Sequence, residues 1–373
     1  MSGLCVLVFP LDIDSASSFI DQVKALGIRV IGASSVMKGP GEVAVDAFFN
    51  LPFVTDPSFD DEFSQLIGRH EITHVFAPHG GVWSYFYKNK ASDPSKYPFV
   101  LCEPSPYLAD WLKFKPSYEW ADNAIDSTFV EFLDLSTTDL IRAMLSRVRL
   151  AGLHKQFVSI SGQCDDEKLF ALSEIVRVVP HGDVVEIGSL LGKSAFALGW
   201  LAQHHKIGSF LSVDPWDKGK VVDQGSDAKI LNDELDESGA GIRFERIFAS
   251  FLGSVSLLDN IGYIKDTSEN AVSLYLDAAQ LGVLNSAGLG EIPISGEIAL
   301  LHIDGNHRYD FVSKDVEYWA PHIKPGGWLL LDDYCWAFGD GPKLVGDELI
   351  QTDTFDICFT MSDTLFLRKR LVV

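Results

Sequence analysis

The sequence predicts an α/β protein in two parts: a smaller α/β unit, then a Rossmann-like sheet that closes with an antiparallel hairpin. Three observations carry this reading. Strand-length apolar runs alternate with helix-period segments along most of the 373 residues, the order that builds parallel sheets covered by helices. A β-branched strand at 184–187 passes through a two-glycine turn directly into a helix, as ligand-binding α/β sheets do. Two strand-like runs, 355–361 and 364–368, flank a Ser362-Asp363 turn near the end of the chain, which is a hairpin signal.

In the first part, 4–9 reads as a buried strand, 14–26 as a helix and 29–31 as a returning strand, from continuous apolar runs in the strands and three-to-four spacing in the helix. A second round places a helix at 59–68, a strand at 72–77 and a short strand at 99–102. The turn after the first strand, Pro10-Leu11-Asp12-Ile13-Asp14, has no glycine, so no dinucleotide fingerprint is read there. In topology this part resembles the small Rossmann-like domain that precedes ATP-grasp modules. A helix at 135–150, entered through Ser136, Thr137 and Thr138, has good caps. The domain boundary is placed near it, giving 1–150 as an auxiliary α/β domain and 151–373 as the second domain. The auxiliary domain binds an acceptor, mediates oligomer contacts, or is an inherited module without chemistry; the sequence leaves these open.

The second series reads as a helix at 166–179, a Pro180-His181-Gly182 break, a strand at 184–187 and a helix at 194–204. A strand at 210–213, a helix at 227–237 and a strand at 298–303 follow, the last after a long intervening segment. A helix at 311–320 and a strand at 327–331 lead to the closing hairpin.

Composition narrows the partners. Hydrophobic residues make up 47% and charged residues 22%, the balance of a globular protein. The net charge of -22 and pI of about 4.7 repel phosphate backbones and anionic lipid, so neither a nucleic-acid nor a membrane partner is expected. The five cysteines are scattered without CxxC spacing, which argues against zinc or a disulfide framework and for free thiols in a reducing cytoplasm. Residues 1–14 lack a basic start and reach Asp12 and Asp14 early, unlike a signal peptide. No apolar run reaches the roughly 20 residues a bilayer span needs. A cytoplasmic protein is expected.

The most informative stretch is Val184-Val185-Glu186-Ile187-Gly188-Ser189-Leu190-Leu191-Gly192-Lys193-Ser194-Ala195. Glycines there let the backbone bend sharply and let a ligand lie against bare amides. They also fit a plain tightening of a strand–helix junction. A P-loop is excluded, because only three residues separate Gly188 from Gly192 and the phosphate loop needs four. Asp214 ends the next strand, where a carboxylate can accept from both hydroxyls of a ribose. Glu186, Gly188, Ser189, Gly192, Ser194 and Asp214 are therefore the candidate cofactor-binding residues.

Further on, Asp304-Gly305-Asn306-His307-Arg308-Tyr309 follows an apolar strand, and Asp332-Asp333 follows Trp328-Leu329-Leu330-Leu331. Strand carboxyl ends are where ligands bind in open α/β sheets. Three carboxylates brought together repel unless a cation sits among them, and oxygen-only ligands favour Mg²⁺ ahead of Mn²⁺ or Ca²⁺. Taken singly, Asp332 or Asp333 also fits a cap, Asp304-Gly305 a turn, and His307 a surface histidine. His302, in mid-strand, is assigned to the core. Tyr334, Trp336 and Phe338 either line an acceptor pocket or pack as ordinary aromatics.

The pattern E-x-G-x-x-x-G-x-S at 186–194 resembles motif I of class I S-adenosylmethionine-dependent methyltransferases, in the branch of cephalosporin- and macrolide-tailoring enzymes. The D-G-x-H-x-Y and G-G-W-x-x-x-D-D stretches resemble the metal-dependent sugar O-methyltransferases of macrolide biosynthesis. The resemblance covers roughly 165–373 and implies S-adenosylmethionine as methyl donor. It implies Mg²⁺ held by Asp304, Asp332 and Asp333, and His307 as general base beside Asp304. Its acceptor would be a small-molecule hydroxyl, on a sugar or glycosylated compound, or alternatively on a phenolic or antibiotic ring. A homo-oligomer is expected. A different class, a nucleotide-binding or catalytically inactive interaction protein, would need an ATP loop or lost acids, and neither is found.

Overall fold

The computed structural model describes residues 3–36, 38–41, 43–102, 104–135, 140–217, 220, 244–335, 337 and 339–371. The chain divides into two compact units, Met1–Pro116 and Ser117–Val373.

The first unit runs β1 (Cys5–Val8), α1 (Asp14–Ala25), β2 (Arg29–Ser34), β3 (Ala47–Asn50), α2 (Phe59–His70), β4 (His74–Phe76), α3 (Gly80–Ser92) and β5 (Val100–Leu101). Its strands form one parallel sheet in the order β3-β2-β1-β4-β5, with apolar clusters around Phe59, Phe63 and Phe86 and around Ala16, Ile20 and Val30. The sequence pattern marks four of these strands and two helices. It does not mark β3, α3 or α4 (Pro106–Asp126). In α3 and α4 the apolar residues do not gather on one face, so the helical period that reveals an amphipathic helix is weak.

The division lies within α4, whereas the sequence places a boundary near 150. Ser117 and the residues after it bond into the second unit. His154 Nδ1 lies 2.9 Å from Ser117 Oγ, Trp120 Nε1 donates to the Asp166 carbonyl at 3.2 Å, and the Glu174 carboxylate accepts from the Phe129 and Val130 N–H groups. Of the helix expected at 135–150, residues 136–139 lie outside the described residues, and 140–146 are not helical. There the Arg142 N–H donates to the Arg177 carbonyl at 2.7 Å, so this backbone bonds to a neighbouring segment instead of to itself.

The second unit continues with α5 (Arg147–Ser159), α6 (Asp166–Ile175), β6 (Asp183–Ile187), α7 (Lys193–His205), β7 (Phe210–Val213), α8 (Phe244–Val255) and β8 (Ile261–Ile264). It then runs through α9 (Ser268–Leu281), β9 (Val283–Ser286), β10 (Gly290–Pro293), β11 (Ile298–Ile303), α10 (Tyr309–Trp319), β12 (Ile323–Leu331), α11 (Gly341–Ile350), β13 (Phe355–Met361) and β14 (Thr364–Lys369). The expected helix at 227–237 lies outside the described residues. Seven strands form a sheet in the order β13-β14-β12-β11-β6-β7-β8. All neighbours pair in parallel except β14, which runs against both β12 and β13. The Rossmann-like sheet and its closing antiparallel hairpin are thus as the sequence predicts.

Strands β6 and β11 are 0–4% exposed along their apolar residues, which fits their near-continuous apolar runs. The long segment before β11 folds into α9 and a small hairpin, β9 with β10. Ser286 of β9 accepts from the Tyr263 N–H (2.8 Å) and donates to its carbonyl (3.0 Å), covering the open edge of β8. Among the described residues no helix is long and apolar enough to cross a membrane. None of the five cysteines is in a disulfide.

Candidate active site at the carboxyl edge of the seven-stranded sheet

Strand register sets the site. Val213, Ile187, Ile303 and Leu331 are level across β7, β6, β11 and β12. The residues that follow them, Asp214, Gly188, Asp304 and Asp332, therefore share one rim. Backbone bonds carry the ladder one residue further: Gly188 N–H to Val213 O (2.9 Å), Asp304 N–H to Ile187 O (2.8 Å) and Asp332 N–H to Ile303 O (2.9 Å). The rim's centre lies between β6 and β11, where the strand order reverses, and this is where open α/β sheets bind ligands.

Gly188 and Gly192 have φ of +87° and +88°, the left-handed region that glycine enters at little cost. A Cβ on Gly188 would sit 2.0 Å from the Asp304 carbonyl oxygen, so the loop lies directly on the acidic strand end. Leu190 (φ 43°) and Trp216 (φ 39°) share the left-handed region although neither is glycine. They are pinned together, since the Trp216 indole N–H donates to the Leu190 carbonyl at 2.9 Å. Asp214 organises the loop: its Oδ2 accepts from the Ser189 and Leu190 N–H groups (3.0 Å each) and its Oδ1 from the Trp216 N–H (2.7 Å). Burial lifts its carboxyl above the ordinary range, opposed by these three donors.

The predicted cofactor residues separate into rim and support. Gly188 and Asp214 are partly exposed, whereas Glu186, Ser189, Gly192 and Ser194 are buried. Glu186 is fully buried; its Oε2 accepts from Ser189 Oγ at 2.6 Å and its Oε1 lies 3.0 Å from His302 Nδ1. Ser189 Oγ also meets Ser212 Oγ. This polar chain under the loop fixes its shape.

On the acidic side, Asp304, His307 and Asp333 each present a ligand atom, all within 4.8 Å of one another, and His307 Nε2 is 2.7 Å from Asp333 Oδ2. A second such group joins His302, Asp304 and Asp332. The three acids expected together thus meet as two overlapping groups with Asp304 common to both. Asp333 has φ of 55°, a strained backbone conformation for a non-glycine residue. The start of α11 braces His307, since a Cβ on Gly341 would sit 2.2 Å from the His307 carbonyl oxygen.

The sequence alone does not single out Lys168. It lies in the first turn of α6, is 2% exposed, and its Nζ is bonded to Asp332 Oδ2. Thr364 Oγ1 donates to Asp332 Oδ1. Burial works against charge on Asp332, but Lys168 and His302 hold its carboxyl well below the usual range. Burial and the Asp332 charge push the Asp304 carboxyl well above it. A buried acid under that pressure, close to Asp333 and His307, fits a hard divalent ion by the chemistry of its donors. His302, assigned to the core, is indeed fully buried, yet it lies between Glu186 beneath the glycine loop and Asp332 of this acid set.

A family model described as a methyltransferase domain matches residues 185–334, the span from β6 to just beyond Asp333. The second unit contains a methyltransferase domain, and the chain is an enzyme of that class. No curated protein matches the sequence. Among solved structures, a calicheamicin methyltransferase is similar at 14% identity and TM-score 0.39, covering 67% of this chain and 91% of that one. The O-methyltransferase NovP is similar at 16% identity and TM-score 0.37, covering 68% and 99%. A mycinamycin-pathway methyltransferase, in complex with Mg, SAH and mycinamycin VI, is similar at 16% identity and TM-score 0.30, covering 51% and 45%.

Proposed function

We propose that this methyltransferase uses S-adenosylmethionine to methylate a hydroxyl of a small molecule, a sugar or glycosylated compound. The observation that carries the reading is the juxtaposition of the glycine loop with Asp304 across the β6–β11 switch point. A cofactor lying on the loop is there brought next to an acid and a histidine. The side-chain-free backbone at Gly188 leaves room for a cofactor against the loop, and the Asp214 carboxylate at the end of the next strand suits the polar edge of an adenosyl group.

An aliphatic hydroxyl is a poor nucleophile at neutral pH, and a divalent ion, when bound, lowers the pKa of the hydroxyl it touches. Asp304 would hold that ion, together with one or both of Asp332 and Asp333. His307, 2.7 Å from Asp333, would take the hydroxyl proton as the methyl's C–O bond forms and its bond to the sulfonium sulfur breaks, with S-adenosylhomocysteine leaving. The loop and the rim supply in-line placement, which needs reacting atoms about 3–3.5 Å apart. An amine acceptor would not need the acids, so they favour oxygen. The test is transfer of labelled methyl from S-adenosylmethionine to a panel of sugar hydroxyls, phenolic hydroxyls and amines. Labelled sugar ethers support the reading, and labelled amines alone would overturn it.

A further inference from the structure

We propose that Lys168 is a resident cation that takes Asp332 out of metal coordination, leaving Asp304 and Asp333 as the carboxylate ligands of the divalent ion. The inference rests on the metal-assisted reading above and narrows it.

The geometry is specific. Both Asp332 oxygens are engaged, Oδ2 by the Lys168 ammonium and Oδ1 by the Thr364 hydroxyl. A divalent ion approaching Oδ2 would meet an ammonium that cannot leave easily, because Lys168 is 2% exposed. Lys168 stands in the first turn of α6, where the helix dipole disfavours a cation, and its own N–H is spent on the capping Asp165 at 2.7 Å. A buried lysine at that end of a helix is retained by its partner, not by its helix. A second acid, Asp363, lies 3.9 Å from the ammonium. The remaining face of Asp332 looks onto His302 Nε2 at 3.8 Å, a fully buried ring nitrogen with no hydrogen-bond partner. Asp333 differs in exposure and partner: its backbone takes a left-handed φ of 55°, its side chain is 15% exposed against 5% for Asp332, and its Oδ2 lies 2.7 Å from His307 Nε2, while Asp304 neighbours both acids. The ion therefore belongs to the Asp304–Asp333 group, next to His307, while the Lys168–Asp332 pair forms the rigid wall behind it.

The test measures Mn²⁺ binding to the full chain by the loss of its free-ion paramagnetic resonance signal, without substrate. Asp304→Asn and Asp333→Asn are expected to weaken binding at least tenfold and Asp332→Asn less than threefold, while Lys168→Met, which frees Asp332, strengthens it. Equal weakening by Asp332→Asn and Asp333→Asn would overturn the proposal. A wild-type chain that binds no Mn²⁺ while Lys168→Met does would overturn the assignment of the ion to Asp304 and Asp333. If neither binds, the proposal falls. Should Lys168→Met not fold, the three acid variants decide. Calorimetric binding of S-adenosylmethionine, run in parallel, reports separately on the methyltransferase reading.

Discussion

Gly188 lies on the backbone of Asp304, so closely that one methyl group at Gly188 would fall 2.0 Å from the Asp304 carbonyl oxygen. This contact joins the loop that would carry the cofactor to the strand end that would carry the chemistry. Gly188→Ala meets both a backbone clash and a positive φ, so a loss of at least about 3 kcal/mol in unfolding free energy is expected. Chemical denaturation checks it, and a variant within about 1 kcal/mol of wild type would show that the rim is looser than described.

His307 faces Asp333 at the exposed end of the acid group. As the proton acceptor, its loss should lower kcat by about 10²–10⁴-fold. His307→Gln should leave S-adenosylmethionine affinity unchanged. A weakened cofactor Kd with intact kcat would place His307 in binding instead.

The loop geometry is legible in sequence only as two glycines and an acid. What the sequence could not show is that Leu190 and Trp216 also take positive φ and are tied by the indole N–H. Trp216→Phe removes that bond, and affinity for S-adenosylmethionine should fall roughly fivefold, for about 1 kcal/mol. Unchanged affinity would make the tie irrelevant to the cofactor.

Legibility in the sequence follows strand ends. Gly188, Asp214, Asp304, Asp332 and Asp333 all fall there, so hydrophobic period and glycine punctuation suffice to place them on one rim. Lys168 and Thr364 are invisible because their role depends on contacts 164 and 32 residues apart. Lys168 reads, in sequence, as one more polar residue in a helix. Glu186, expected at the cofactor, instead lies under the loop, bonded to Ser189 and near His302. Burial of that kind is a property of the sheet, not of the motif. In the first unit, α3 and α4 escape because neither concentrates its apolar residues on one face.

Asp315, whose carboxylate lies against Gly305 beneath the rim, gives a pH test. It is 7% exposed, and burial pushes its carboxyl up to about 6, with Ser268 opposing. A carboxyl whose folded value exceeds its unfolded value holds more protons folded than unfolded between those values. Its charged form therefore destabilises the fold above about pH 6, and the penalty is relieved as pH falls from about 6 to 4. Asp315→Asn should gain up to about 3 kcal/mol at pH 7 and flatten stability across that window. Unfolding curves that slope equally in both proteins would contradict it.

The central claim is that the β6–α7 loop binds S-adenosylmethionine. It is tested most directly by titrating the purified chain with that compound in a calorimeter, with Mg²⁺ and then with excess EDTA, using ATP as the control ligand. Micromolar binding of S-adenosylmethionine and none of ATP is the predicted result. No binding of S-adenosylmethionine under either condition would return Gly188 and Gly192 to a structural turn and contradict the account.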